Sequence, residues 1–142
     1  MELINKTNFA DRARSVIGKF LETDGNKIIK NKYGEYVWKK EFAGLTTSKI
    51  RNLLSLTNAL YNQALHIRGD VLSEDIIHDI QYLKMRFAYE SGRERAVEKF
   101  VKAAHIMECL NEIGDSKDEL LLFCNYMESL VAYHKYYGGR DK

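Results

Sequence analysis

Four histidines, two cysteines and 22 Lys or Arg residues hold whatever chemistry this chain can perform. His78-Asp79 is the pair that helical metal phosphohydrolases use, where imidazoles and carboxylates jointly hold a hydrolytic metal. Such a site needs another His and a distant Asp, and no spacing in the chain singles these out. His105 and Cys109 lie one helical turn apart, but no second ligand pair accompanies them, so packing is the simpler role. Cys109 and Cys124, lacking any C-x-x-C arrangement, read as buried thiols rather than a disulfide or a metal site. His134 falls on an apolar stripe and reads as a core histidine. P-loop, G-x-G-x-x-G, H-E-x-x-H and G-x-S-x-G patterns are absent. The residues therefore offer no catalytic set, no cofactor-binding set and no metal-ligating set.

The basic residues are more informative. Residues 26–69 carry eight Lys or Arg against Glu35 and Glu41, a net of +6, whereas residues 70–142 carry ten against fourteen acids, a net of −4. The overall +2 hides this asymmetry, which fits a polyanion on one side and a basic protein neighbour on the other. Arg51, Arg86 and Arg93 suit phosphate because guanidinium presents a rigid fork of donors, and Lys49 adds a point charge. Such contacts position a backbone without reading sequence. Lys49 and Arg51 lie where cations oppose a helix dipole by about 0.3–1 kcal/mol, so either an anion is received there, with help from nearby backbone N–H groups, or they are surface cations of the kind helix starts tolerate. Arg86 and Glu90 equally form an available i,i+4 ion pair. Tyr33, Tyr36 and Trp38, interleaved with lysines, suit either base stacking or burial. The tyrosines of the C-terminal region, Tyr126, Tyr133 and Tyr137, serve an interface or close the edge of a core.

The elements that must position these residues are helical. Proline is absent, which favours uninterrupted helices. Apolar spacing predicts about five of them. The first runs from about Phe9 to Leu21, capped by Asn8. The second opens at Thr46-Thr47 and the third at Ser73. The fourth opens at a Ser91–Glu94 capping box and runs to Gly114, and the last opens at a Ser116–Glu119 box and stops at Gly138-Gly139. Residues 26–43 form a basic, partly irregular segment, a short hairpin or an ordered loop around a turn at Gly34. Short connections make the expected architecture an all-α, compact helical bundle.

A chain of 142 residues, 45 % hydrophobic and 30 % charged, is the size and composition of one soluble domain over 1–142. No stretch of about 18 apolar residues would span a membrane, and the N-terminus lacks the features of a secretory signal. The expected location is cytoplasmic.

Three segments taken together carry a resemblance. Gly44-Leu45-Thr46-Thr47-Ser48-Lys49-Ile50-Arg51-Asn52-Leu53-Leu54, the block from Leu83 to Glu94, and the block from Phe123 to Tyr137 resemble, in order and spacing, the small helical subunit of the type III-A CRISPR (Csm) interference complex. The likeness spans about residues 42–137, with residues 1–41 as a variable N-terminal part. It implies a non-catalytic, RNA-binding structural subunit that stacks in several copies along the guide RNA–target RNA duplex in antiviral defence. Its implied partners are guide RNA, target RNA, neighbouring copies of itself, and the backbone subunit and large catalytic subunit of the complex. Lys49, Arg51, Arg86 and Arg93 fall in the matching blocks and are the implied RNA-binding residues. A protein-only helical scaffold or adaptor, and a helical metal-dependent phosphohydrolase, are the rival readings.

Overall fold

The computed structural model describes residues 3–141. Six helices carry it: α1 (Phe9–Gly18), α2 (Thr47–Leu65), α3 (Glu74–Arg93), α4 (Arg95–Ala103), α5 (Ile106–Ile113) and α6 (Lys117–Tyr136). The chain is all-α apart from a two-stranded antiparallel ribbon, β1 (Thr23–Asp24) and β2 (Lys27–Ile28). Helix α6 lies at the centre of the packing, against α1, α2 and α5, while α3 packs on α2, α4 and α5. Phe20, Phe87, Phe100 and Phe123 are fully buried in one apolar cluster. Each contributes about 1.5–3 kcal/mol by leaving water. Phe20 stacks on Phe42 at 4.0 Å and meets Phe100 edge-on at 6.2 Å, which pins the N-terminal segment to α4.

Three of the expected caps form. The side-chain oxygens of Thr46, Ser73 and Ser116 accept from the N–H groups of Lys49, Ile76 and Glu119. Two do not. Asn8 spends its side chain on the Asn5 N–H at 2.7 Å, and α1 starts without a side-chain cap. Ser91 lies inside α3, its hydroxyl buried without a hydrogen-bond partner among the described residues, so the Ser91–Glu94 box is absent. The break falls at Glu94 instead (φ −134°, ψ 125°), which ends α3 and begins α4. The helix expected to continue to Gly114 divides at His105, which adopts φ 55°. A left-handed residue other than glycine costs about 1–2 kcal/mol. The Tyr126 hydroxyl offsets this by donating to the Ala104 carbonyl at 2.8 Å.

Helix α1 ends at Gly18, earlier than its apolar spacing suggests. Lys19, Phe20 and Leu21 tighten into bonds to carbonyls three residues back. Leu21 can then bridge to Trp38, and the Glu22 N–H donates to the Val37 carbonyl at 2.7 Å. The basic segment is therefore ordered: the β1–β2 hairpin, a Lys30–Tyr36 bridge closed by the turn at Gly34 (φ 78°), and a 3₁₀ turn at Lys40–Phe42. Asn31 secures the second turn by accepting from the N–H groups of Tyr33 and Glu35.

Candidate nucleic-acid interface

The start of α2 meets the junction of α3 and α4. Gly44, just before α2, lies against Ala96, where a Cβ on Gly44 would stand 3.8 Å from the alanine methyl. This approach brings Lys49 onto Glu94, and the Lys49 ammonium also donates to the Gly44 carbonyl at 3.0 Å. Arg93 then lies 3.8 Å from Glu94 and 3.9 Å from Glu90, and Arg86 lies 3.4 Å from Glu90. The result is one chain of charges, Lys49–Glu94–Arg93–Glu90–Arg86, running from α2 along the end of α3. The two carboxylates are the more sheltered members, 19 % and 25 % exposed, while Arg93 is 58 % exposed. Three cations against two acids leave a local net of +1. Sheltered acids hold the half-buried Lys49 and Arg86 and the exposed Arg93 in place at the surface.

Three of the four expected residues thus come together, and Arg51 does not join them. It is exposed and stands near Asp141, whose carboxyl is held below its usual range by a hydrogen bond and ion pair with Lys135, with a smaller contribution from Arg51. The backbone at the start of α2 corrects one expectation. The N–H groups of Thr47 and Ser48 donate to the carbonyls of Arg140 and Asp141, at 2.7 and 3.2 Å. With the Lys49 N–H bonded to Thr46, the first turn has donated its N–H groups within the protein and does not offer them to an anion. A C-terminal tail of ordinary polar residues gave no sequence signal for this role. The tail is tied down by Lys135, whose ammonium meets Asp141 at 2.7 Å.

Behind this surface lies His134, fully buried. Its Nε2 is 2.9 Å from the Leu45 carbonyl, which only accepts, so Nε2 carries the proton and Nδ1 accepts from the Thr47 hydroxyl at 3.1 Å. Desolvation pushes its pKa below the usual histidine value. It is a satisfied core histidine, as its position on an apolar stripe suggested. Cys109 and Cys124 are likewise buried, their thiols pushed up to about 12 chiefly by desolvation.

The residues with metal chemistry stay apart. His78 meets Asp79 at 3.4 Å on an exposed face. His105 reaches Glu108 at the surface while Cys109 points into the core. Among the described residues no three His, Cys, Asp or Glu side chains converge as a metal site would require. No helix among them is long and apolar enough to cross a membrane.

A second cationic cluster lies around the end of α6. Arg14 Nε donates to the Tyr137 hydroxyl at 3.0 Å, with its guanidinium 5.9 Å from the rings of both Tyr133 and Tyr136. Tyr36 meets Tyr137 edge-on at 4.9 Å, and the Lys30 ammonium lies 4.8 Å over the Tyr36 ring. Trp38, half-buried, donates to the Tyr137 carbonyl and packs on His134. Arg14 was not among the residues expected at a site, since an isolated arginine on α1 carries no motif.

Residues 23–140 match the family model Csm2 Type III-A. The chain belongs to this family. A Csm2 protein of Streptococcus thermophilus, "CRISPR system Cms protein Csm2", is 41 % identical over 141 residues, covering 99 % of this chain and all of that protein. The protein of the same name from Mycobacterium tuberculosis (strain ATCC 25618 / H37Rv) is 48 % identical over 104 residues, 73 % of this chain and 84 % of the relative. That from Enterococcus italicus is 44 % identical over 102 residues, 70 % and 73 % of the two chains. The Csm2 match includes Lys49, Arg51, Arg86 and Arg93, and begins ahead of the basic segment.

Proposed function

We propose that the chain is a non-catalytic, RNA-binding structural subunit of a type III-A CRISPR effector complex. In this reading residues 1–142 act as one domain, and copies stack along the guide RNA–target RNA duplex beside the other Csm subunits. Lys49, Arg86 and Arg93 hold backbone phosphates, and Arg51 adds a fourth contact from the other side of the first turn of α2. The observation that carries the assignment is the ion-paired chain, which gathers three of these residues on one surface of a Csm2-family protein. Carboxylates beneath the cations reduce the side-chain freedom lost when a phosphate docks. They also offset most of the charge, so each copy binds weakly and a row of copies supplies avidity.

The test is single-stranded RNA binding by wild type and by Lys49→Glu/Arg51→Glu across a salt series, with folding followed by circular dichroism. The expected result is weaker binding and a shallower slope in the double variant, by about 0.7 for each phosphate no longer neutralised. Unchanged binding with intact helicity would overturn the site at the start of α2, and absence of binding by either protein would favour a protein-only scaffold, for which the occupied state of Lys49, Arg86 and Arg93 on Glu90 and Glu94 is the supporting observation.

A further inference from the structure

We infer that the end of α6 carries a second RNA surface, on which Arg14 and Lys30 hold phosphates and Tyr136 stacks an unpaired base. The inference rests on RNA being the ligand, as above, but on neither Lys49 nor Arg51. Its first support is the company these cations keep. The ion pairs between carboxylates and Lys or Arg among the described residues involve Lys6, Lys49, Arg86, Arg93, Lys99, Lys102 and Lys135, and neither Arg14 nor Lys30. Both are exposed, and both are held by aromatic rings instead. A ring face orients a cation without cancelling its charge, so the attraction for phosphate is kept. The cations of the α2–α3 chain, by contrast, are largely offset by Glu90 and Glu94.

The second support is exposed aromatic area beside those charges. Tyr136 is 61 % exposed, and its ring is fixed edge-on by Tyr137 at 5.0 Å and by Tyr133 at 6.1 Å. A large ring held rigid and left open to water loses little freedom when a base stacks on it. Cationic side chains interleaved with such rings are the recurring means of holding single strands without reading sequence. A paired base has both faces covered, so the ring selects unpaired nucleotides.

The third support is assembly and continuity. Three separate segments must fold together to build the cluster: Arg14 from α1, Lys30 and Tyr36 from the loop after β2, and Tyr133–Tyr137 from the end of α6. The same end of α6 touches the start of α2, where Thr47 Oγ1 meets His134 and the Thr47 N–H donates to Arg140.

The test uses the full chain and two 12-nucleotide probes, oligoadenylate and an abasic strand of equal length (12 being about one single-strand site). Tyr136→Ala should weaken oligoadenylate binding about fivefold or more, Tyr136→Phe should not, and neither should change binding of the abasic strand. Lys30→Glu should weaken both probes and lower the salt slope by about 0.7. If Tyr136→Ala and Lys30→Glu bind oligoadenylate as wild type does, the second surface is overturned, whatever Lys49→Glu/Arg51→Glu does. Loss in these two variants with full binding by Lys49→Glu/Arg51→Glu would overturn the α2 assignment and keep this one. Absence of wild-type binding at about 50 mM salt would overturn both. A change in self-association without a change in RNA affinity would make the tyrosines a protein surface and overturn the inference.

Discussion

Gly139 packs so tightly on His134 that a Cβ there would clash with the imidazole at Cε1 and Nδ1. The ring has nowhere to go, because the Leu45 carbonyl, the Thr47 hydroxyl and the Trp38 ring hold its other edges. Absence of a side chain at 139 thus lets α6, α2 and the basic segment meet at one point. Gly139→Ala should destabilise the protein by about 1–3 kcal/mol, the cost of overpacking a filled site. Gly92→Ala supplies the control, since nothing lies within 4 Å of its added methyl on α3. Urea unfolding of the two variants should give a lower midpoint for Gly139→Ala, and an unchanged or higher one for Gly92→Ala.

The same histidine makes stability depend on pH. Burial keeps its pKa below the 6.5 of an unfolded chain, with the Leu45 hydrogen bond opposing in part. Well above pH 6.5 both states are neutral and the full stability is present. Below it the unfolded chain takes up a proton that the native ring refuses, so stability falls until the folded pKa is passed. Wild type should therefore lose stability between about pH 7.5 and about pH 5.5 by more than His134→Gln does, although the variant is less stable at the upper end. Equal slopes for the two proteins would show that another group is responsible.

Sequence patterns revealed the parts of this structure that depend on near neighbours. Ser73 and Ser116 cap because a hydroxyl three residues before a free N–H suffices, and the apolar spacing of α2 follows from one buried face, that of α6 from burial against α1, α2 and α5. Contacts distant in sequence stayed hidden. Glu94 has the right spacing to serve a Ser91 cap, yet its carboxylate is taken by Lys49, far away along the chain, and α3 simply continues past Ser91. His105 breaks a helix that local spacing would continue, because Tyr126 waits for the Ala104 carbonyl. Lys49, Arg86 and Arg93 were legible as candidates, and the Arg86–Glu90 link through the i,i+4 rule, but the contact with Glu94 that joins Lys49 to Arg93 was not. That Arg51 stands apart, and that the tail closes the start of α2, follows from packing alone.

The tail offers a direct check of that closure. A chain ending at Gly139 loses the carbonyls that accept from Thr47 and Ser48, and the Lys135–Asp141 pair that holds them. The freed N–H groups turn to water, so the cost is modest, about 0.5–1.5 kcal/mol for each bond. Amide hydrogen exchange should quicken at Thr47 and Ser48 and stay near wild-type rates in the middle of α2. Unchanged exchange at both amides would mean that the tail is not their partner in solution.

The sheltered acids of the ion-paired chain make a prediction whose sign separates RNA binding from scaffolding. Glu94 neutralises Lys49 and part of Arg93, so Glu94→Gln removes one negative charge beneath the proposed phosphate face while keeping the shape. The local net rises from +1 to +2, since three cations then face only Glu90. If Lys49 and Arg93 meet phosphate, RNA affinity at low salt should increase, and the salt slope should steepen by about 0.7 for one more phosphate neutralised. Stability should change little, by about 0–1 kcal/mol, because the pairs are partly exposed and screened. A scaffold that uses Glu94 to order Lys49 for a protein partner predicts the opposite: RNA binding unaltered and assembly weakened. Filter binding across a salt series, read beside sedimentation of the same variant with its partner subunits, decides between them.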